Sequence, residues 1–149
     1  MTGNLDQNKA ASILSSQVLG RLACTDSNTP YIIPVSYVYD GAYIYAQTNE
    51  GMKLDIMRKN PNVCFEVDIV NSFRNWESVI VYGKFEELKN EAADKAREVL
   101  FGRVFQLMTT SAVHLHEHES NALLDDSTRV KNTMYRIKIE KITARFEKQ

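Results

Sequence analysis

Along this chain, runs in which apolar and polar residues alternate outnumber runs with a helical period. From Tyr31 to Tyr39 β-branched and aromatic residues dominate, as in a strand half-buried in a sheet. Asp40-Gly41 follows, the dipeptide a two-residue type I′ turn demands, so Tyr31 to Tyr39 and Ala42 to Thr48 are expected to pair as an antiparallel hairpin. Arg21 to Thr25 and Val63 to Val67 read as shorter strands. Glu77 to Leu88 reads as a long one, with Val79, Val81 and Gly83 alternating with Ser78, Ile80 and Tyr82. A last strand, Thr133 to Phe146, sets Tyr135, Ile137 and Ile139 against Met134, Arg136 and Lys138.

Helical periods appear three times. Leu5 to Val18 carries Leu5, Ile13, Leu14 and Val18 on one side, with Gly20 as its stop. A two-turn helix after Gly51 carries Leu54 and Met57 and halts at Asn60-Pro61. From Glu91 to about Leu107, behind a possible cap at Asn90, the residues Ala93, Ala96, Leu100, Val104 and Leu107 recur at three- and four-residue steps. Met108 to Val130 shows no period. Six strands and three helices on short connections predict an α+β fold. The sheet should be antiparallel, curled into a barrel and covered by helices, as one domain over residues 1–149.

Composition narrows the function. Eighteen Lys and Arg against nineteen Asp and Glu give a net charge of −1, and without a basic stripe no nucleic-acid partner is expected. No apolar run nears the ~18 residues of a membrane span, and Met1 to Lys9 lacks the basic-then-apolar pattern of a leader, so no membrane partner and a cytoplasmic location are expected. Cys24 and Cys64, forty residues apart, match no local metal spacing and read as packed thiols. No Gly-x-Ser-x-Gly or Gly-x-Gly-x-x-Gly occurs, and Ser15-Ser16, Ser78 and Thr109-Thr110-Ser111 have no adjacent histidine, which argues against acyl transfer and a dinucleotide-type fold.

The most informative stretch is the junction at Asn49-Glu50-Gly51, where a strand runs straight into a helix carrying Lys53. Helix starts present unpaired amides and the positive end of the dipole, which suit a phosphate. A cation in that first turn opposes the dipole, and an anion held between Lys53 and the amides would remove the conflict. The other reading is that Glu50 and Asp55 screen Lys53 on a solvated face.

Five segments recur in a familiar order: Gly20-Arg21-Leu22-Ala23, Tyr31 to Gly41, Glu50-Gly51-Met52-Lys53-Leu54-Asp55, Asn60 to Glu66, and Ser78 to Gly83. In these the chain resembles the pyridoxamine-5'-phosphate-oxidase-like split-barrel flavoproteins, in particular the branch related to 5-nitroimidazole resistance proteins. The resemblance implies a homodimer of six-stranded split barrels with FMN in two interfacial grooves. It implies that Lys53 holds the FMN phosphate, with Gln47, Thr48 and the amides of Gly51 and Met52 completing the cradle. Pro34, Val35 and Ser36 would lie along the isoalloxazine ring, and Ser78, beside Glu77, would hydrogen-bond the ribityl chain or phosphate. Many members of the branch carry a histidine where this chain has Gln47, which cannot titrate near neutral pH. The family also includes binders of deazaflavin and haem, so these and FAD are the alternative cofactors.

The expected function is therefore that of an FMN-dependent oxidoreductase with small-molecule electron donor and acceptor, and no catalytic side chain is identified. The alternative is a non-catalytic flavin or haem binding module. Three further features are weighed beside these. His114, His116 and His118 form a candidate metal or axial-haem cluster, with a solvated loop as the competing reading, and no metal site is assigned. Trp76 could stack near the flavin, seal the dimer groove or plug the barrel end. Tyr37, Tyr39, Tyr43 and Tyr45 read as sheet packing.

Overall fold

The computed structural model describes residues 1–110 and 132–149; of 105–110 only the helical backbone is described, and the His114, His116 and His118 cluster lies outside the described residues. The element order is β1 (Thr2–Asn4), α1 (Gln7–Ser16), β2 (Leu19–Thr25), β3 (Pro30–Ser36), β4 (Val38–Tyr39), β5 (Tyr43–Thr48), α2 (Met52–Lys59), β6 (Asn62–Ser72), β7 (Asn75–Glu87), α3 (Asn90–Thr110) and β8 (Thr133–Lys148). The six expected strands and three helices are all present, joined by the short β1 and β4.

One antiparallel sheet runs β3-β2-β6-β7-β8-β5-β4, with β1 added to β8. β3 and β4 stand at opposite ends of that order, yet only Tyr37 separates them in the chain. A sheet whose two ends are joined by one residue must curl until its edges meet, and this makes it a barrel. The expected hairpin is corrected here. Tyr31 to Tyr39 is not one strand: Pro30–Ser36 pairs with β2, and only Val38 and Tyr39 pair with Tyr45 and Ile44 of β5. The turn also differs, because this register leaves Gly41 and Ala42 as its central residues. Gly41 alone is left-handed, at φ 99°, and Asp40 Oδ1 accepts the amides of Ala42 and Tyr43.

The interior is apolar by strand alternation. Leu22, Cys24, Val35, Ile44, Ala46, Phe65, Val67, Val79, Val81, Tyr135 and Ile137 point inward, joined by Ala10, Ile13 and Leu14 of α1 and by Leu54, Ile56 and Met57 of α2. α3 covers the outside of β4, β5 and β8 through Ala93, Ala96 and Leu100 against Val38, Tyr45 and Met134. α1 is shorter than its period suggested. Asp6 caps it by accepting the Lys9 amide, and it ends at Ser16. Gly20 is a strand residue of β2, where a Cβ would fall inside the Phe65 ring.

At the helix C-terminus three carbonyls receive side-chain donors: Ile13 from Ser16 Oγ, Leu14 from the Tyr37 hydroxyl and Ser15 from Arg103 of α3. The last carbonyls of a helix have no backbone amide to accept from within it, and the sequence supplies no basic residue in its last turn. No helix among the described residues is long and apolar enough to cross a membrane.

Candidate functional site

The register of β4 on β5 explains where the barrel opens. Val38 faces Tyr45 and Tyr39 faces Ile44, so continuing the same register would set Ser36 against Gln47 and Val35 against Thr48. That continuation is not hydrogen-bonded: β3 is bound to β2 and β5 to β8, while β3 and β5 still lie side by side. The result is an open seam between two strand edges. Pro34, Val35 and Ser36 form one lip; Gln47 and Thr48 form the other. Alternation turns Ser36 and Gln47 to the outer side of the seam and the buried Val35 and Thr48 to the inner side.

The seam leads into α2. Gly51 is the N-cap residue, and because it has no side chain no cap hydrogen bond forms there, which leaves the first-turn amides of Met52 and Lys53 available. Lys53 is half-buried and forms no ion pair among the described residues. Desolvation pushes its amine below the ordinary lysine range, opposed by the Cys24 thiol inside the barrel. Gln47 Oε1 is buried without a hydrogen-bond partner, as a group waiting for a donor would be. The Thr48 hydroxyl donates to the Asn49 carbonyl at 3.1 Å and fixes the turn into the helix.

This resolves the two readings of Lys53. Glu50 does not screen it: both Glu50 carboxylate oxygens are taken by Arg58, at 3.0 and 3.1 Å. Asp55 forms no ion pair among the described residues either. Among the described residues Lys53 is thus a partly desolvated cation without an ion pair beside the first-turn amides of α2, an arrangement suited to an anion, and Gln47 Oε1 on the neighbouring strand end is an acceptor without a partner. Arg58 stands in the last turn of α2, where a cation is ordinarily favoured.

Eight of the expected residues thus meet at the seam: Pro34, Val35, Ser36, Gln47, Thr48, Gly51, Met52 and Lys53. Ser78 and Glu77 do not. Ser78 lies on the outer face of β7, donating to Glu66 at 2.9 Å, and β2 and β6 separate it from β3. Glu77 turns the opposite way, with Lys9 of α1 at 3.6 Å. Trp76 is on the outer face too, its indole donating to Glu147 at 3.1 Å, so it does not plug the barrel. The two cysteines occupy opposite faces: Cys64 pairs in register with Ala23 and points outward, whereas Cys24 points in. Their geometry rules out a bond between them within one chain.

Comparison with known proteins agrees with this architecture. A family model described as pyridoxamine 5'-phosphate oxidase matches residues 6–146. A FAD-binding protein of Mesorhizobium loti superposes with a TM-score of 0.75 at 27% identity, over 98% of each chain. A Bacteroides thetaiotaomicron protein, provisionally described as a 5-nitroimidazole antibiotic resistance protein, shares the fold at a TM-score of 0.72 and 19% identity, over 98% of this chain and 87% of that one. An uncharacterized protein of Rhizobium meliloti is 34% identical over 84 residues; the match spans 56% of this chain and 56% of that relative.

Proposed function

The chain belongs to the pyridoxamine 5'-phosphate oxidase family, and we propose that it is a flavoprotein whose seam holds FMN, the phosphate at the start of α2 and the ring along Pro34, Val35 and Ser36. The observation that carries this reading is the half-buried Lys53, which forms no ion pair among the described residues, beside the uncapped first-turn amides of α2. Lys53 and those amides bind the phosphate. Gln47 Oε1 accepts from the cofactor's polar edge, and the unpaired edge of β3 orients the ring. A bound flavin supplies one- and two-electron transfer, and the protein supplies the slot and its polarity. The FAD-binding description of the Mesorhizobium loti relative favours FAD as the second reading, with the same phosphate contact.

A homodimer is part of the proposal. Among the described residues no helix covers the outer face of β3, β2, β6 and β7, which exposes Leu19 at 48%, Ile32 at 66% and Val70 at 64% around the polar Arg21, Glu66, Asp68 and Ser78, a mixed surface suited to a second copy. Ser78 lies on that face, and its role toward the flavin depends on that second copy.

We assign the activity as electron transfer from a small-molecule donor to a small-molecule acceptor. Among the described residues the ring end of the seam offers no evident proton donor, since Gln47 does not titrate, and this favours acceptors that need no enzyme-bound acid. The same property supports the alternative of a binding module without turnover. The test is the visible spectrum of the purified protein, chromatography of the chromophore released on denaturation, and steady-state oxidation of NAD(P)H with quinones or nitroaromatics. Released FMN with turnover above that of free FMN supports the oxidoreductase; bound flavin without turnover supports the module; a protein that takes up no flavin overturns both.

A further inference from the structure

We propose that Arg58 is a positioning residue for the phosphate cradle: it holds Glu50 away from the helix start that the cofactor anion needs. The inference rests on the flavin reading above. Glu50 immediately precedes the N-cap Gly51, and carboxylates are favoured occupants of helix N-termini. Left free, Glu50 would be an intramolecular competitor for the same amides, and its charge would repel a phosphate. The structure shows where it goes instead. Arg58, in the last turn of the same helix, takes Glu50 Oε2 with Nη1 at 3.0 Å and Oε1 with Nη2 at 3.1 Å. The remaining donor, Nε, binds Glu87 Oε1 of β7 at 2.8 Å.

The guanidinium is thus tied to the long central strand of the barrel through Glu87, and the group it holds at its other end is the loop residue Glu50. A two-point fork of this kind fixes orientation as well as charge. In energy alone an exposed ion pair contributes little to stability. The consequence lies in the site: with Glu50 drawn off and neutralised, Lys53 stands at the cradle without a carboxylate partner among the described residues.

Dissociation constants for FMN and for riboflavin, which lacks the phosphate, separate this role from mere support of the fold. Arg58→Met should weaken FMN roughly two- to fivefold, the size of one charge acting at a helix terminus, and leave riboflavin unchanged. Adding Glu50→Gln in the Arg58→Met background should restore FMN affinity, because it removes the competitor without rebuilding the fork. Equal weakening of FMN and riboflavin, or no recovery in the double variant, would overturn the proposal. If Lys53→Met weakens FMN while Arg58→Met does not, this inference alone falls; if neither does, the phosphate reading falls with it.

Discussion

The hydroxyl of Tyr37 donates to the carbonyl of Leu14 at 2.6 Å, in the buried core, at the one residue where the chain crosses from one edge of the sheet to the other. The Tyr37 amide donates to the Val18 carbonyl at 3.0 Å, and its ring meets Phe65 edge-on at 4.9 Å. One side chain therefore fixes the crossover, caps α1 and packs the barrel. Tyr37→Phe keeps the ring contact but strands the Leu14 carbonyl, and should lower unfolding free energy by about 1 to 2 kcal/mol in a denaturant titration. A loss of a few tenths would mean that water reaches the carbonyl.

Lys53 should show stability and function pulling in opposite directions. Its folded pKa is depressed by desolvation, so at neutral pH its charge costs the unliganded protein stability. Lys53→Met should raise the melting temperature without flavin and weaken FMN by about 1.5 to 3 kcal/mol, the loss of a charge-assisted contact. Only the protonated amine attracts phosphate. In the parent, FMN affinity should fall as pH rises through the depressed pKa, and Lys53→Met should flatten that alkaline limb. A parallel pH profile in both proteins would remove Lys53 from the cradle.

Gly83 tests the long central pair of strands. The β7–β8 register slips between Tyr82 and Gly83, leaving Glu140 of β8 unpaired, and a Cβ at Gly83 would collide with the Lys138 carbonyl. Main chain cannot move aside as a flexible side chain can. Gly83→Ala should destabilise by about 1 to 3 kcal/mol, whereas Gly102→Ala, on an exposed helix face with open space around it, should not destabilise and should gain up to about 1 kcal/mol from helix propensity.

Much of the barrel was legible because alternation and helical period are local properties. The alternation of Val79, Val81 and Gly83 could be read from spacing, and the helix start carrying Lys53 from the Glu50 to Asp55 segment, whereas Gln47 and Thr48 entered only through the family resemblance. The break at Tyr37 could not. A nine-residue run dominated by β-branched and aromatic residues looks like one strand, and only competition between β2 and β5 for that segment divides it. The role of Glu50 was equally hidden: its partner Arg58 lies across a loop and two helical turns, and Glu87, which anchors Arg58, is 29 residues further on. Nearness in sequence suggested Lys53 as its partner, and tertiary geometry gave it to Arg58.

The outer face of the sheet carries a polar cluster whose pH response bears on the proposed second copy. Glu66 of β6 accepts from Ser78 of β7, and facing it are Asp68 on its own strand and Arg21 of β2, which reaches Asp68 at 3.4 Å; Arg145 of β8 pairs in register with Ser78. Burial is the main force pushing the Glu66 carboxyl above its ordinary range. The Asp68 charge adds to that push, while the Ser78 hydroxyl and Arg21 act against it. A carboxyl raised on folding holds its proton more tightly in the folded chain, so its ionised form is a cost at neutral pH that is relieved as pH falls through the raised value. Glu66→Gln keeps an acceptor for Ser78 and removes the charge. It should therefore raise the melting temperature at pH 7, with the gain shrinking on acidification and gone below the ordinary carboxylate range. If a second copy covers this face, desolvation deepens and the gain should grow with protein concentration. A concentration-independent gain would mean that Glu66 lies outside the contact, and a lower melting temperature at pH 7 would mean that attraction to Arg21 outweighs burial.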